Sequence, residues 1–368
     1  MKVLFLVPHL STGGMPQFLL KRIQALKSYT STEVFVYEWE QITDQYVVQR
    51  EQIINLLPKN NFVSCGYTDN IDEHKRNTIT QYIEKNGIHI VHVEDIGENF
   101  INDDIQKKLY NSNKWAVVET PHSMNYNPDL INNKPNGYCY TIDYHSYINN
   151  KTDVYRSVIK YPLDTSIVCN ESRDNILEEI GWRTNGEYHI VNVGLWTPSK
   201  NQGYAIELAK KLWEKYGWTY IFHFVGNQAP NFKEYWEPLM DDLPPNIRIH
   251  GEHNNYNVSR FLKMSDLMLF TSTWESWGIV VEEAIANNLK IMAYNQDHWG
   301  DERLPFIEPL SGDIDNDYEL FLNTIHSPKK YNDNDLKTKS NMVSFAKKHI
   351  TLYKNLKLLP FRIRDTRK

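Results

Sequence analysis

The chain has 368 residues, room for about two ordinary domains, and 41 % of them are hydrophobic, with 23 Tyr, 14 Phe and 10 Trp. That apolar content excludes a disordered chain, and a net charge of −6 removes the general attraction to nucleic acid that a basic face supplies. Cys65, Cys139 and Cys169 lie far apart with no C-x-x-C pair, which argues against a disulfide framework and for a reducing, cytoplasmic setting.

The opening run MKVLFLV is stopped by Pro8 and His9, too early for a secretory core, and reads as a first buried strand over residues 2–7. Strands follow at 33–37, 88–93 and 115–118. The run IHIVHV is short and β-branched, as a buried parallel strand is. Amphipathic stretches at 16–28, 73–85 and 99–110 read as the helices between them. The second half restarts the pattern, with strands at 188–193, 219–225, 266–270 and 290–294 and helices at 203–216, 258–264 and 278–288. A last helix is expected over 337–357. No run approaches the ~18 apolar residues of a membrane span.

Two successive α/β patterns predict two doubly wound domains facing across a cleft, with ligands at the carboxyl ends of the strands. The polar segment 172–187 sets the expected boundary. The domains are then 1–178 and 179–340, with residues 341–368 as a helix packing back across both and a basic tail. Lys347, Lys348, Lys354, Lys357, Arg362, Arg364, Arg367 and Lys368 form a candidate surface for anionic lipid, a peripheral membrane contact; a solvated helix face is the alternative reading.

Chemistry concentrates in TSTWESWGIVVEEAIANN, residues 271–288. A strand ends, a loop presents Glu275, and Gly278 opens a helix whose amides at Ile279 and Val280 suit a phosphate. Glu283 sits among apolar neighbours, so its carboxylate needs a partner, and sugar hydroxyls are good ones. Glu282 reads as the solvated glutamate. A second strand–loop–helix, NVGLWTPSKNQG (192–203), carries Lys200. In LSTGGMPQFLLKRI (10–23), Gly13 and Gly14 allow backbone to approach a diphosphate or sugar. The turn is not G-x-G-x-x-G, which sets aside NAD. His122 follows a strand in AVVETPHSMNY, and His92, Glu94 and Asp95 are polar residues at another strand end, candidates to line the acceptor side. FHFVGNQ ends in Gly226. No D-x-D with strand context, zinc spacing, P-loop or nucleophile elbow occurs; Asp241-Asp242 lie in a loop.

Residues 271–288 resemble the signature of family 4 glycosyltransferases: Glu, small, aromatic, Gly, then a helix with a second Glu eight positions after the first. The matching residues are Glu275, Ser276, Trp277, Gly278 and Glu283. Residues 192–203 are similar to the family's Gly-Arg-Leu turn with a downstream lysine, matched by Lys200; Leu195 stands at the arginine position, so one of two usual cations is missing. The resemblance implies the GT-B fold and a retaining, metal-independent transfer of sugar from a nucleotide-diphosphate donor, UDP- or GDP-linked, to a glycan or lipid-linked acceptor. It implies catalytic roles for Glu275, Lys200 and His122. Glu275 would hold hydroxyls of the transferred sugar, Lys200 the diphosphate, and His122 would lie near donor sugar and acceptor. Donor binding would fall to Gly13, Gly14, Gly226, Ser276, Trp277, Gly278, Ile279, Val280 and Glu283, the last on the ribose. The main chain near residues 249–251 would meet the base. The alternatives are a nucleotide-sugar epimerase on the same fold and a non-catalytic sugar-binding protein, the second raised by Leu195.

Overall fold

The structure is a computed structural model; it describes residues 1–11, 13–43, 47–95, 101–122, 132–143, 154–162, 168–182, 186–296, 299, 304–328 and 341–358. It divides into two compact units, Met1–Pro162 with Ser340–Lys368, and Leu163–Lys339.

The first unit is built on seven parallel strands: β1 (Lys2–Val7), β2 (Glu33–Glu38), β3 (Phe62–Ser64), β4 (Ile90–Glu94), β5 (Ala116–Thr120), β6 (Gly137–Tyr140) and β7 (Tyr155–Val158). Their order is β3-β2-β1-β4-β5-β6-β7, so the chain reverses its direction of growth between β1 and β4. β1 and β4 are buried along their length; β1 is apolar from Val3 to Val7, whereas β4 carries His92 and Glu94 among its apolar residues. The helix Gly14–Tyr29 starts on a glycine pair, tolerates Pro16 in its first turn, and buries Phe18, Leu19, Ile23 and Leu26. The C-terminal helix Met342–Leu358 lies against it. Phe345, His349, Leu352, Tyr353 and Leu356 recur at helical spacing and are all buried, while Lys347, Lys348, Lys354 and Lys357 are exposed. A Cβ at Gly137 would lie 2.7 Å from Leu356 Cδ2, so this helix fits closely over β6.

The second unit has six parallel strands: β8 (Tyr188–Val193), β9 (Tyr220–Val225), β10 (Ile247–Gly251), β11 (Leu267–Phe270), β12 (Lys290–Tyr294) and β13 (Ile307–Leu310). Their order is β10-β9-β8-β11-β12-β13, reversing between β8 and β11. Alternate residues feed opposite cores. Val191, Met268, Phe270 and Ile291 join the helices Arg173–Glu179, Asn255–Met264 and Ile279–Ala286. Ile190, Leu267, Leu269 and Met292 join the helices Gln202–Tyr216 and Ile314–His326 on the other face.

The helix Arg173–Glu179 crosses the boundary expected at 178, and its Ile176 and Leu177 pack with Val191 and Phe261 of the second unit. The single helix expected over 73–85 is two, Glu73–Asn77 and Ile79–Asn86, meeting at Thr78. The helix expected over 99–110 begins at Asp103, where Asn102 caps it by accepting from Ile105 N; the start of the last one, expected from 337, lies outside the described residues.

Candidate functional site

In an open parallel sheet, loops leaving the strand ends on either side of the reversal diverge and leave a ligand crevice. In the second unit those loops follow β8 and β11, and they carry Lys200 and Glu275. The loop after β8 turns tightly: Thr197 O accepts from Lys200 N at 3.0 Å and Asn201 N at 3.2 Å, and Asn201 takes a left-handed φ of 51° before the helix Gln202–Tyr216. Trp196, fully buried, anchors the turn. The two loops are stitched together. Thr271 Oγ1 donates to Lys200 O at 3.0 Å, and Thr273 N donates to Ser199 O at 2.9 Å. Gln296, beyond β12, closes the loop from the far side, accepting from Glu275 N at 3.3 Å and donating to Ser272 O at 3.1 Å.

That framework brings the Lys200 ammonium and the Glu275 carboxylate into an ion pair. Glu275 is 8 % exposed, and the Lys200 stem runs past Gly194, where a Cβ would stand 3.6 Å from Lys200 Cδ. Ser276 and the buried Trp277 lead into Gly278, whose φ of 64° is a left-handed value that glycine takes without strain. A Cβ there would meet Trp299 Cζ2 at 3.3 Å. The helix Ile279–Ala286 then begins, and the amides of Ile279 and Val280 have no acceptor within their own helix. Glu283, 7 % exposed, accepts from Asn255 Nδ2 at 3.3 Å.

Glu282, expected to face solvent, is instead 3 % exposed. The helix is buried continuously from Val281 to Ala286, so the eight-residue spacing does not separate a solvated glutamate from a buried one. Gly226 sits in the neighbouring loop after β9. A Cβ on it would be 1.9 Å from Gly194 O, and its amide donates to Gly251 O at 2.7 Å. Glycine here lets two loops touch. Leu195 is half-buried, its carbonyl accepting from Gln202 Nε2 at 3.0 Å.

Gly13, Gly14 and His122 belong to the first unit. Gly13 precedes the helix Gly14–Tyr29 after β1, both glycines are exposed, and Gly13 O accepts from Gln17 N at 3.1 Å. His122 follows β5; Phe18 meets its ring edge-on at 5.8 Å. Its Nε2 lies 2.9 Å from Glu94 Oε2, and Glu94 is in turn ion-paired with Arg22. His92 does not line a cleft, as its place at a strand end had suggested. It is fully buried, 2.7 Å from Tyr353 OH and 2.6 Å from Thr120 Oγ1, and burial pushes its pKa well below the ordinary value. Glu94 is likewise fully buried, whereas Asp95 is half-buried and accepts from His122 N at 3.4 Å.

A second titratable cluster was not foreseen. His189, His223 and His250 form a row across β8, β9 and β10 with nitrogen–nitrogen distances of 2.9 Å at both junctions. Burial lowers His189 and His250 to about 4 and His223 well below its usual range. Asn192, Thr271 and Gln296 were also missed. Each is a polar residue in or just beyond a strand, a pattern that many structural residues share. Among the described residues no group of His, Cys, Asp or Glu is arranged to hold a metal ion, and no helix is long and apolar enough to cross a membrane.

Residues 173–299 match the family model for glycosyl transferases group 1, a span containing Lys200, Gly226, Glu275 and Glu283. No curated protein sequence matches the chain. Among solved structures, a glycosyltransferase from Rickettsia africae is similar at TM-score 0.71 and 16 % identity, over 96 % of this chain and 98 % of that one. Sucrose-phosphate synthase from Thermosynechococcus elongatus is similar at TM-score 0.70 and 13 % identity, over 97 % and 99 %. HepE from Anabaena, in complex with UDP and glucose, gives TM-score 0.66 and 12 % identity, over 100 % and 99 %. Identities this low establish fold, and the family match supplies the activity class. Two Rossmann-like parallel-sheet domains of the GT-B class, with residues 173–299 similar to glycosyl transferases group 1, thus make the chain a glycosyltransferase.

Proposed function

We propose that the chain is a retaining glycosyltransferase of the family 4 type, moving a sugar from a UDP- or GDP-sugar to a glycan or lipid-linked acceptor without a metal ion in the step. The observation that carries this reading is the Lys200–Glu275 ion pair at the reversal of the second sheet, beside the start of the helix Ile279–Ala286 and the buried Glu283. Each group matches one part of such a donor. The ammonium and the amides of Ile279 and Val280 take the diphosphate, where charge grows as the leaving group departs. Glu275 takes hydroxyls of the transferred sugar and Glu283 those of the ribose. Donor binding therefore exchanges the Lys200–Glu275 pair for contacts to phosphate and sugar.

With no side chain placed as a nucleophile in this reading, the acceptor hydroxyl attacks the anomeric carbon on the face the phosphate leaves. The departing phosphate oxygen takes the hydroxyl proton, and the anomeric configuration is kept. Catalysis is then positioning and electrostatics. His122, Gly13 and Gly14 serve the sugar and acceptor from the first unit, and Gly226 keeps the loop after β9 close to the nucleotide. UDP is favoured by the HepE complexes with UDP, UDP-glucose, and UDP and glucose. The exposed face bearing Lys347, Lys348, Lys354 and Lys357 suits a peripheral contact with anionic lipid; Arg362, Arg364, Arg367 and Lys368 lie outside the described residues.

The test is a panel of UDP-, GDP- and ADP-sugars, read by thermal stabilisation and by transfer in the presence of a chelator. A cognate donor at a hundredfold its Kd should stabilise by about 2.7 kcal/mol. The epimerase alternative, which the family match does not favour, requires free epimerised nucleotide sugar without acceptor. Stabilisation by no nucleotide sugar at all would remove the proposal.

A further inference from the structure

The first sheet holds, at its own reversal, a chain of charge that the donor chemistry does not use. Arg22 and Glu94 are both fully buried and ion-paired. Arg22 is fixed further by Thr120 Oγ1 at 3.3 Å and by the ring of Phe18, 4.8 Å from its guanidinium carbon. Glu94 Oε1 is engaged by Arg22, and Oε2 points to Nε2 of His122 at 2.9 Å. His122 keeps 15 % of its side-chain surface exposed, so this is where the buried charge reaches the edge of the fold.

A carboxylate withdrawn from water stays charged only with a partner, and Arg22 supplies it. As a carboxylate, Glu94 can only accept. Nε2 of His122 must then carry the proton, and in the neutral ring the lone pair resides on Nδ1. We propose that Glu94, held ionised by Arg22, is the positioning residue for His122, fixing its ring orientation and its Nε2–H tautomer. This rests on the reading of His122 as a residue that faces substrate. The other groups around the pair are His92 and Asp95 from β4 and its end, Cys139 from β6, and His349 and Tyr353 from the C-terminal helix. His92 and His349 are kept neutral by burial, and Tyr353 stays a phenol for the same reason. Arg22 and the carboxylates of Glu94 and Asp95 therefore set the local charge.

Imidazole 15N shifts of the parent protein labelled at histidine test the tautomer without any substitution: His122 should be protonated at Nε2, and protonation at Nδ1 overturns the proposal. Glu94→Gln preserves shape but donates as well as accepts. It should mix the tautomers and lower kcat by at least about tenfold, as the loss of a carboxylate that orients an imidazole does, with donor KM changed by less than about twofold. A Glu94→Gln protein with parent kcat and parent 15N shifts overturns the positioning role. If His122→Ala still loses activity in that case, the role of His122 stands without Glu94. If His122→Ala keeps the parent rate while Lys200→Ala loses it, the inference fails and the donor site survives.

Discussion

The two units share the order of their first six strands, the first adding β7 at its edge, and place their charges oppositely. In the second, Lys200 and Glu275 stand on loops beyond the strand ends, stitched to each other by main-chain and hydroxyl contacts. In the first, Arg22 and Glu94 are sunk into the core, and the charge reaches the edge only through His122. An ion pair at a loop can be exchanged for a ligand, because each partner has another source of solvation when it separates. A fully buried pair cannot be broken without stranding a charge. The second arrangement suits a group that grips and releases an anion; the first suits one that holds another side chain still.

The largest effect that would break this contrast is on stability. Arg22→Ala leaves Glu94 buried without its guanidinium counter-ion and should cost about 3–5 kcal/mol in denaturant unfolding. A parent-like midpoint would mean the pair is solvated after all. Next come Glu275→Ala and Lys200→Ala, each expected to lower kcat by about a hundredfold or more while circular dichroism and thermal midpoint stay near the parent. Activity at the parent rate in either would remove the donor site. Smaller, and in the opposite direction, Leu195→Arg restores the missing cation and should tighten donor binding by about tenfold, measured by calorimetry. No gain would show that the helix amides already satisfy the diphosphate.

The last effect is acid sensitivity. His189 and His250 are neutral in the fold down to about 4, against 6.5 for an ordinary histidine. The unfolded chain takes up protons first, so the stability they contribute is present above about pH 6.5 and is lost as pH falls towards 4. In the row, the neutral central ring of His223 accepts through one nitrogen and donates through the other. A proton turns the acceptor into a donor and breaks a junction. Thermal midpoints measured from pH 7 to 4 should fall, and His223→Phe should flatten the slope.

Much of this was legible from residue order. β1, β8 and β12 were expected at the bounds they have, because each is a short apolar run ended by a turn signal. β6, β7 and β13 were not: β7 is a half-buried edge strand, and β13 carries Pro309, which an edge tolerates and a central strand does not. In the candidate site, Glu275, Gly278 and Glu283 were picked out by the resemblance of residues 271–288 to a family signature, and the structure places them on one loop and the helix that follows it. Gln296 could not, since its clamp on the loop 272–275 depends on β12 lying beside β11. Glu282 misled because neighbouring glutamates on an all-round apolar helix are both buried. His92 misled because an apolar strand beside a helix from the far C-terminus leaves no water at that position.

The central claim is that the reversal of the second sheet is a nucleotide-sugar site. A crystal structure of the protein with its stabilising nucleotide sugar tests it most directly. The account predicts the diphosphate on Lys200 and the amides of Ile279 and Val280, with Glu275 on the sugar and Glu283 on the ribose. A donor bound elsewhere, with the Lys200–Glu275 pair still closed, would contradict it.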